Sequence, residues 1–453
     1  EVIMILYRML QERTERKGPI RVGMIGAGKF GTMFLAQARL TKGLHVLGIA
    51  DLNVDRAREA CQRTHWPAEQ HATSSFADAL KAGKTYLTED GMALIKADGL
   101  DVVVEATGHP PAGIQYALAA IEHRRHIIMV NVEADVLAGP LLAKKAKEAG
   151  VVYSLAYGDQ PAIICELVDW ARASGFSVVC AGKGTRYHPD FHASTPDTVW
   201  QNFGWSAETV AKAGANPKMF NSFIDGTKSG IEMTAVCNAM GLTPPPDGLG
   251  FPPVAAVDIA KVCKPRADGG TLAYPGTVEV ISSLNRDRTP VPGHLQQGVY
   301  VVFEGANEYV QRCFKEYNLL PDETAKYASL YRPTHLIGLE LGISVLSAAL
   351  RGEPTGAPTG WRSDVIATAK RDLKAGEVLD GEGGDMVWGK IMPAATGRAR
   401  KGLPLGLAHN VKLKNPIPMG QSATWDDVEI DFNDPAVAFR REMEAAFIPN
   451  SKG

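Results

Sequence analysis

The chain has 453 residues, 45% of them hydrophobic, enough for two or three domains with full apolar cores and too apolar for a disordered chain. Its 48 basic and 50 acidic residues leave a net charge of −2, which excludes the basic face that nucleic acid or an anionic membrane demands and points to small-molecule partners. The six cysteines are scattered without a CxxC pair, several inside apolar runs, so a reducing compartment is expected.

At the N-terminus, EVIMILYRMLQERTERK begins with an acid and has its basic residues on the wrong side of the apolar patch for a secretory signal. No run reaches membrane-spanning length, and a cytoplasmic location is the expectation. Residues 20–31, IRVGMIGAGKFG, then set a short apolar strand directly against a GxGxxG turn. In that pattern Gly26 allows the tight turn, Gly28 lets backbone approach a pyrophosphate, and Gly31 lets the next helix pack close to the strand. The helix beginning at Lys29 and Phe30 then turns its N-terminus toward the diphosphate. A second strand over 45–50 ends in Asp51, the right distance downstream to accept hydrogen bonds from an adenosine ribose. Asp51 favours NADH, because a carboxylate repels a 2′-phosphate, whereas Lys29, Arg56 and Arg58 lie close enough to neutralise one and admit NADPH.

Further strands are predicted over 101–105, 127–130 and 151–155, giving an α/β doubly wound parallel sheet over residues 1–157. The segment 68–99 is longer than a simple connection and is expected to decorate the rim. The strand DVVVEATGHP ends in Thr107 and Gly108 at the carboxyl edge, where such sheets bind ligands, so these residues are expected to border the nicotinamide. From residue 158 longer strands mix with helices, which predicts an α+β substrate-binding domain over 158–350. RGEPTGAPTG, 351–360, reads as a linker. Short β-like runs over 361–435 predict a small β-rich third domain, with the tail 436–453 packing back on it.

Several constellations can carry chemistry. The strand over 176–181 ends in Gly182-Lys183-Gly184-Thr185-Arg186-Tyr187-His188, two cations and a histidine with glycines for access, suited to a phosphate or an alkoxide; a solvated turn is the alternative. His188 and His192 have helical metal spacing, but Pro189 argues against a helix pairing them, and no zinc site is assigned. Residues 219–240 read as one helix with Asp225, Lys228 or Ser229, and Glu232 on a polar face, against the alternative of an exposed salt-bridged stripe. Gly226 and Gly230 each cost that helix about 1 kcal/mol relative to Ala, which implies close approach by another group. Glu133 and Asp159 lie beyond the ends of successive strands and could bind Mg²⁺ or Mn²⁺; helix capping by Asp159 ahead of Pro161 explains the second equally well.

GAGKFG, VVVEATG, IIMVNVEADVLAGPLLAKKAKEAGV and AGKGTRYH resemble the homoserine dehydrogenase superfamily. SFIDGTKSGIEM, LYRPTHLIGLE and AKRDLKAGEVLDGEGG resemble one branch of it, the DXR-like (DRL) reductoisomerases with a C-terminal SAF-type β-clip domain, and the likeness runs from about Ile20 to Asp431. The resemblance implies a homodimer that uses NADPH and a divalent cation, Mg²⁺ or Mn²⁺, to convert 1-deoxy-D-xylulose 5-phosphate into 2-C-methyl-D-erythritol 4-phosphate for isoprenoid synthesis. Asn131-Val132-Glu133 replaces the Asn-Lys of plain homoserine dehydrogenases, and Lys183 replaces their asparagine before Gly-Thr, which argues against an amino-acid dehydrogenase. For a reductoisomerase, Lys183 would stabilise an oxyanion, Asp159, Glu133 and Glu232 would hold metal or shuttle protons, and Arg186, His188, Lys228 and Asp225 would bind the sugar phosphate. A dehydrogenase or oxidoisomerase of a branched sugar acid or homoserine-like substrate, and a non-catalytic dinucleotide sensor, stand as alternatives.

Overall fold

Strand β1, Ile20–Ile25, is buried at all but one position, as expected of a central parallel strand covered on both faces by helices. It pairs in parallel with β2, Leu44–Ala50, which pairs in parallel with β3, Tyr86–Thr88. On the other side of β1 come β4, Val102–Glu105, β5, His126–Met129, and β6, Tyr153–Leu155, all parallel. The order β3-β2-β1-β4-β5-β6 is that of a dinucleotide-binding sheet, with its switch point between β1 and β4. The doubly wound sheet predicted for the N-terminal region is therefore present. One correction concerns the segment 68–99, which supplies the sheet's edge strand β3. Three residues, Tyr-Leu-Thr, are too few to show an alternation or a hydrophobic run.

The computed structural model describes residues 6–213 and 216–447, and these fold as two units. One takes the chain up to Ile163 and again over Leu336–Thr359; the other takes Ile164–His335 and the chain from Gly360 on. The returning segment is not an open linker. Leu341, Val345 and Leu346 enter the core beside Leu10, Val22, Met24 and Phe34. Thr355 then donates its backbone N–H to Ser154 Oγ at 3.0 Å, and Gly356 offers its carbonyl to Leu155 N at 2.7 Å, so residues read as a Pro/Gly connector run along the free edge of β6. Of the N-terminal stretch, residues 1–5 lie outside the described residues; Leu6–Lys17 is a helix whose Leu10 is fully buried. No helix among the described residues is long and apolar enough to cross a membrane.

The second unit is built on β7, Ser177–Thr185, β8, Thr277–Ser282, β9, Val299–Glu304, β10, Leu320–Pro321, and β11, Tyr327–Arg332, in the order β10-β11-β9-β7-β8. Only β7 and β8 run parallel. Within β7, a side chain at Gly182 or Gly184 would collide with the carbonyls of Glu279 and Leu295 respectively, so those two positions require glycine. The β-rich region predicted for 361–435 belongs to this same unit. It comprises β12, Ser363–Ala369, β13, Val378–Asp380, β14, Val387–Pro393, β15, His409–Leu413, and β16, Val428–Glu429, with β12 paired to β14 and β15 between β13 and β16. The C-terminal helix Pro435–Ala446 packs back through Arg440, fully buried and hydrogen-bonded to Asp364 and Glu444. Residues 448–453 of the expected tail lie outside the described residues.

The single helix predicted over 219–240 is two helices, Pro217–Ile224 and Thr227–Met240. Gly226 breaks them apart at φ +94°, a left-handed conformation that glycine adopts without a steric penalty. The close approach inferred for Gly230 is real: it lets the second helix lie against β14, where an added Cβ would stand 2.9 Å from the Gly389 carbonyl oxygen. Gly389 N–H donates to Thr227 Oγ1 at 2.9 Å, and Asn238 Oδ1 accepts from Arg362 N–H and Ser363 N–H, pinning both ends of the helix. Gly230→Ala, which should gain about 1 kcal/mol from helix propensity, is expected instead to destabilise by about 1–3 kcal/mol through overpacking, measured as a lower denaturant midpoint at unchanged m-value.

Candidate active site

In the first unit the three glycines of the β1 turn play different parts. Gly26 has φ +98°, and a Cβ there would stand 2.5 Å from the Ala106 carbonyl; one at Gly31 would stand 2.5 Å from the Gly26 carbonyl and against Met24. A Cβ at Gly28 would meet nothing within 4 Å. Gly26 and Gly31 are thus fixed by the fold, whereas Gly28 faces open space at the N-terminus of helix Lys29–Ala38, where a pyrophosphate would be received by backbone N–H groups. Lys29 is exposed there and Phe30 is half-buried against the core. Thr107 and Gly108 follow β4, whose last residue, Glu105, pairs in register with Ile25. They therefore border the same carboxyl edge, Gly108 at φ +68° with open space beside it.

Asp51 is buried, but its carboxylate is already engaged: Oδ2 accepts from Ala27 N–H and Oδ1 from Asn53 N–H, at 2.8 and 2.9 Å. It braces the glycine turn. The exposed Arg56 guanidinium lies 3.8 Å from it, while Arg58 is paired with Asp55. Two buried carboxyls in this unit escaped the sequence reading. Glu105 accepts from Thr107 N–H at 3.0 Å, and burial raises its pKa. Asp135, in the first turn of helix Val132–Glu148, accepts from Tyr153 O–H at 2.8 Å and is pushed up to about 7 by burial. An acid closing the apolar run VVVE was the one available signal for the first.

Glu133 is half-buried in that same first turn, behind the cap Asn131, whose side chain accepts from Ala134 N–H. Asp159, buried, starts helix Gln160–Ala173: its carbonyl accepts from Ile163 N–H and its Oδ1 from Gln160 N–H. Among the described residues no three His, Cys, Asp or Glu side chains gather where they could hold a metal ion, and no step is written through one.

In the second unit, β7 delivers Lys183 and helix Thr227–Met240 delivers Glu232, and the two form an ion pair with both side chains buried. An ammonium held in a low-dielectric wall by one carboxylate can stabilise a developing oxyanion or pass a proton to its partner. Lys228 is half-buried in the first turn of the same helix. Arg186 is half-buried, Nε donating to the Asn202 carbonyl at 2.9 Å, and burial lowers its pKa. Two further candidates are engaged by the fold itself. His188 is turned inward, its Nδ1 capping the short helix Pro189–Ala193 and its Nε2 facing the Arg286 carbonyl at 3.0 Å. Asp225 is fully buried, accepting from Thr227 N–H and lying 2.8 Å from Lys370 Nζ; it holds the helix break.

Lys370, missed by the sequence reading, also donates to the Ser194 and Gly384 carbonyls, each at 2.7 Å. Tyr187 and His192, the latter weighed above only for metal spacing, pair with each other: the phenol oxygen and His192 Nε2 are 2.9 Å apart, while Nδ1 lies 2.7 Å from the Asp225 carbonyl. Nδ1 must carry the proton to satisfy that carbonyl, so Tyr187 donates to Nε2. Burial raises the Tyr187 phenol to about 12 and lowers His192. His192 stacks on Trp388 and Tyr187 on Phe251, with centroids 3.9 and 3.8 Å apart, a rigid aromatic column beside Gly226.

Residues 20–156 match the family model described as oxidoreductase family, NAD-binding Rossmann fold, and residues 158–341 match that described as oxidoreductase DRL, catalytic domain. This is an NAD(P)-dependent oxidoreductase. The second match contains both Lys183 and Glu232. No curated protein matches the chain. Similar solved structures include a probable dehydrogenase from Thermotoga maritima, 14% identical over 74% of this chain and 90% of that one at a TM-score of 0.37. A DOX-P reductoisomerase in complex with magnesium is 17% identical over 50% and 58%, TM-score 0.33. A biliverdin reductase from Synechocystis sp. PCC 6803 is 15% identical over 41% and 53%, TM-score 0.27. Likenesses this distant bear on neither substrate nor reaction.

Two outcomes are expected of this oxidoreductase. Gly28→Ala should leave the melting temperature unchanged and weaken NADP(H) binding at least about tenfold, since the added methyl enters only the space for the pyrophosphate; calorimetric titration measures it. Asp135 keeps its proton in the fold to about pH 7 but loses it near 3.8 when unfolded, so its contribution to stability is complete below the lower value and falls as pH rises through the upper one. Asp135→Asn should remove that decline, gaining about 1–3 kcal/mol on the parent between acid and neutral pH in denaturant titrations.

Proposed function

We propose that this oxidoreductase is a reductoisomerase that converts 1-deoxy-D-xylulose 5-phosphate into 2-C-methyl-D-erythritol 4-phosphate, working as a cytoplasmic homodimer in isoprenoid precursor synthesis. The observation that carries the proposal is the buried Lys183–Glu232 pair within the segment matching the DRL catalytic domain. Such a reaction deprotonates a hydroxyl, holds the oxyanion while a carbon–carbon bond migrates, and reduces the resulting aldehyde. Lys183 is the cation for the oxyanion, and Glu232 takes and returns the proton. Arg186 and Lys228, half-buried cations on the same unit, are assigned to the phosphate.

NADPH, when bound, supplies the hydride. The glycine turn and the open face of Gly28 fit its pyrophosphate, and the preference over NADH is proposed on Asp51 and Arg56: the carboxylate is occupied by backbone N–H groups, and the exposed guanidinium beside it suits a 2′-phosphate. The β-rich region over 361–435 is taken as a SAF-type clip. Mg²⁺ or Mn²⁺ enters the proposal as a component of the assay.

The test is NADPH oxidation with the deoxyxylulose phosphate and Mn²⁺, with NMR of the product. A branched methylerythritol phosphate is expected; an unbranched product means a dehydrogenase without rearrangement, and no oxidation removes the sugar phosphate as substrate. Lys183→Met alone strands a buried carboxylate, a defect of about 3–5 kcal/mol, so the informative variant is Lys183→Met with Glu232→Gln. It should stay folded, bind NADPH as the parent does, and lose at least about 100-fold in kcat. Near-parental turnover would remove the pair from the chemistry.

A further inference from the structure

The β-rich region holds a cavity of about 440 Å³, within the range of small-ligand sites, and none of its lining residues takes part in the site described above. Trp361 and Trp425 form its walls, and Phe432 stands at its mouth, 54% exposed, with its ring 6.0 Å from that of Trp425 and inclined by 29°. An aromatic ring this exposed beside a cavity is an uncovered apolar surface of the kind ligands cover. The indole N–H of Trp361 is buried without an acceptor, a defect of about 1–3 kcal/mol in a closed fold.

Three carboxylates line the cavity, and each has a cation beside it. Asp364 is held by Arg440, Glu444 by Arg440 and Arg441, and Asp426 by Lys401 at 2.9 Å. Arg398 lines the cavity and takes part in none of these pairs. Arg440 is buried behind the wall, while Arg398 is an exposed lining cation outside these pairs and carries a planar guanidinium, the group best shaped to grip a carboxylate with two parallel hydrogen bonds. Arg440 and Arg441 lie over the Trp361 and Trp425 rings at 5.1 and 5.2 Å, so the aromatic walls are fixed in place before any ligand arrives.

We propose that this cavity is a second ligand site, and that it takes a small planar aromatic carboxylate, the ring lying in the cavity lined by Trp361, Trp425 and Phe432 and the carboxylate on Arg398. Indole-3-acetate serves as the probe, titrated calorimetrically into the full chain, with indole and acetate as its separated halves. Saturable binding is expected, with each half at least tenfold weaker. Arg398→Ala and Phe432→Ala, both at exposed positions, are expected to leave the melting temperature unchanged and to weaken the probe at least fivefold. No saturable heat with indole-3-acetate, or an affinity that neither substitution changes, would overturn the proposal.

Discussion

The ammonium of Lys370 lies in a wholly buried position, and the geometry of the Lys183–Glu232 pair depends on it. Taking an ammonium out of water is costly unless its donors are met. Here two are met by the carbonyls of Ser194 and Gly384, and the Asp225 carboxylate 2.8 Å away balances the charge. Asn221 adds hydrogen bonds from its side-chain amide to the Ser194 and Gly383 carbonyls. The result ties the β-rich region to the break between the two helices, where Gly226 sets the direction of the second. With Asn238 fixing that helix at its other end, Glu232 is left little freedom in its approach to Lys183. The β-rich region therefore acts on the site through the position of one helix.

Much of the dinucleotide half was legible in the sequence, because its signals are local. Gly26, Gly28 and Gly31 announced three separate steric demands, and the coordinates show two of them as backbone collisions and the third as open space. The parallel strands announced themselves as apolar runs. What escaped had no local signature. Tyr86–Thr88 is a strand only because β2 offers it an edge. The break at Asp225–Gly226 lies inside a segment with unbroken helical periodicity, and Lys370 and Asp225 are far apart in sequence, so nothing local couples them. Asp225 and His188 were read as ligand groups for their chemistry, yet buried backbone groups claim both.

Three buried carboxyls, Glu105, Asp135 and Glu279, share one physical situation: burial raises each above the ordinary carboxylate range. Glu279 lies under the aromatic column, receiving the backbone N–H groups of Gly250, Phe251 and Val280, and it anchors the loop whose Phe251 stacks on Tyr187. Glu105 and Asp135 each keep one oxygen without a hydrogen-bond partner, the arrangement a protonated acid tolerates better than a carboxylate. In each unit, burial makes these acids hold their protons to higher pH than exposed carboxyls do.

The dinucleotide-binding unit is discontinuous, and that has a consequence for how the protein is made. Its core contains Leu341, Val345 and Leu346, which leave the ribosome only after the entire five-stranded sheet of the other unit. Until then the nascent chain holds a parallel sheet with part of its apolar cover missing and the edge of β6 bare, the kind of surface that recruits chaperones or aggregates. A fragment ending near Ile163 would carry every glycine of the phosphate turn and still lack the residues that close its core.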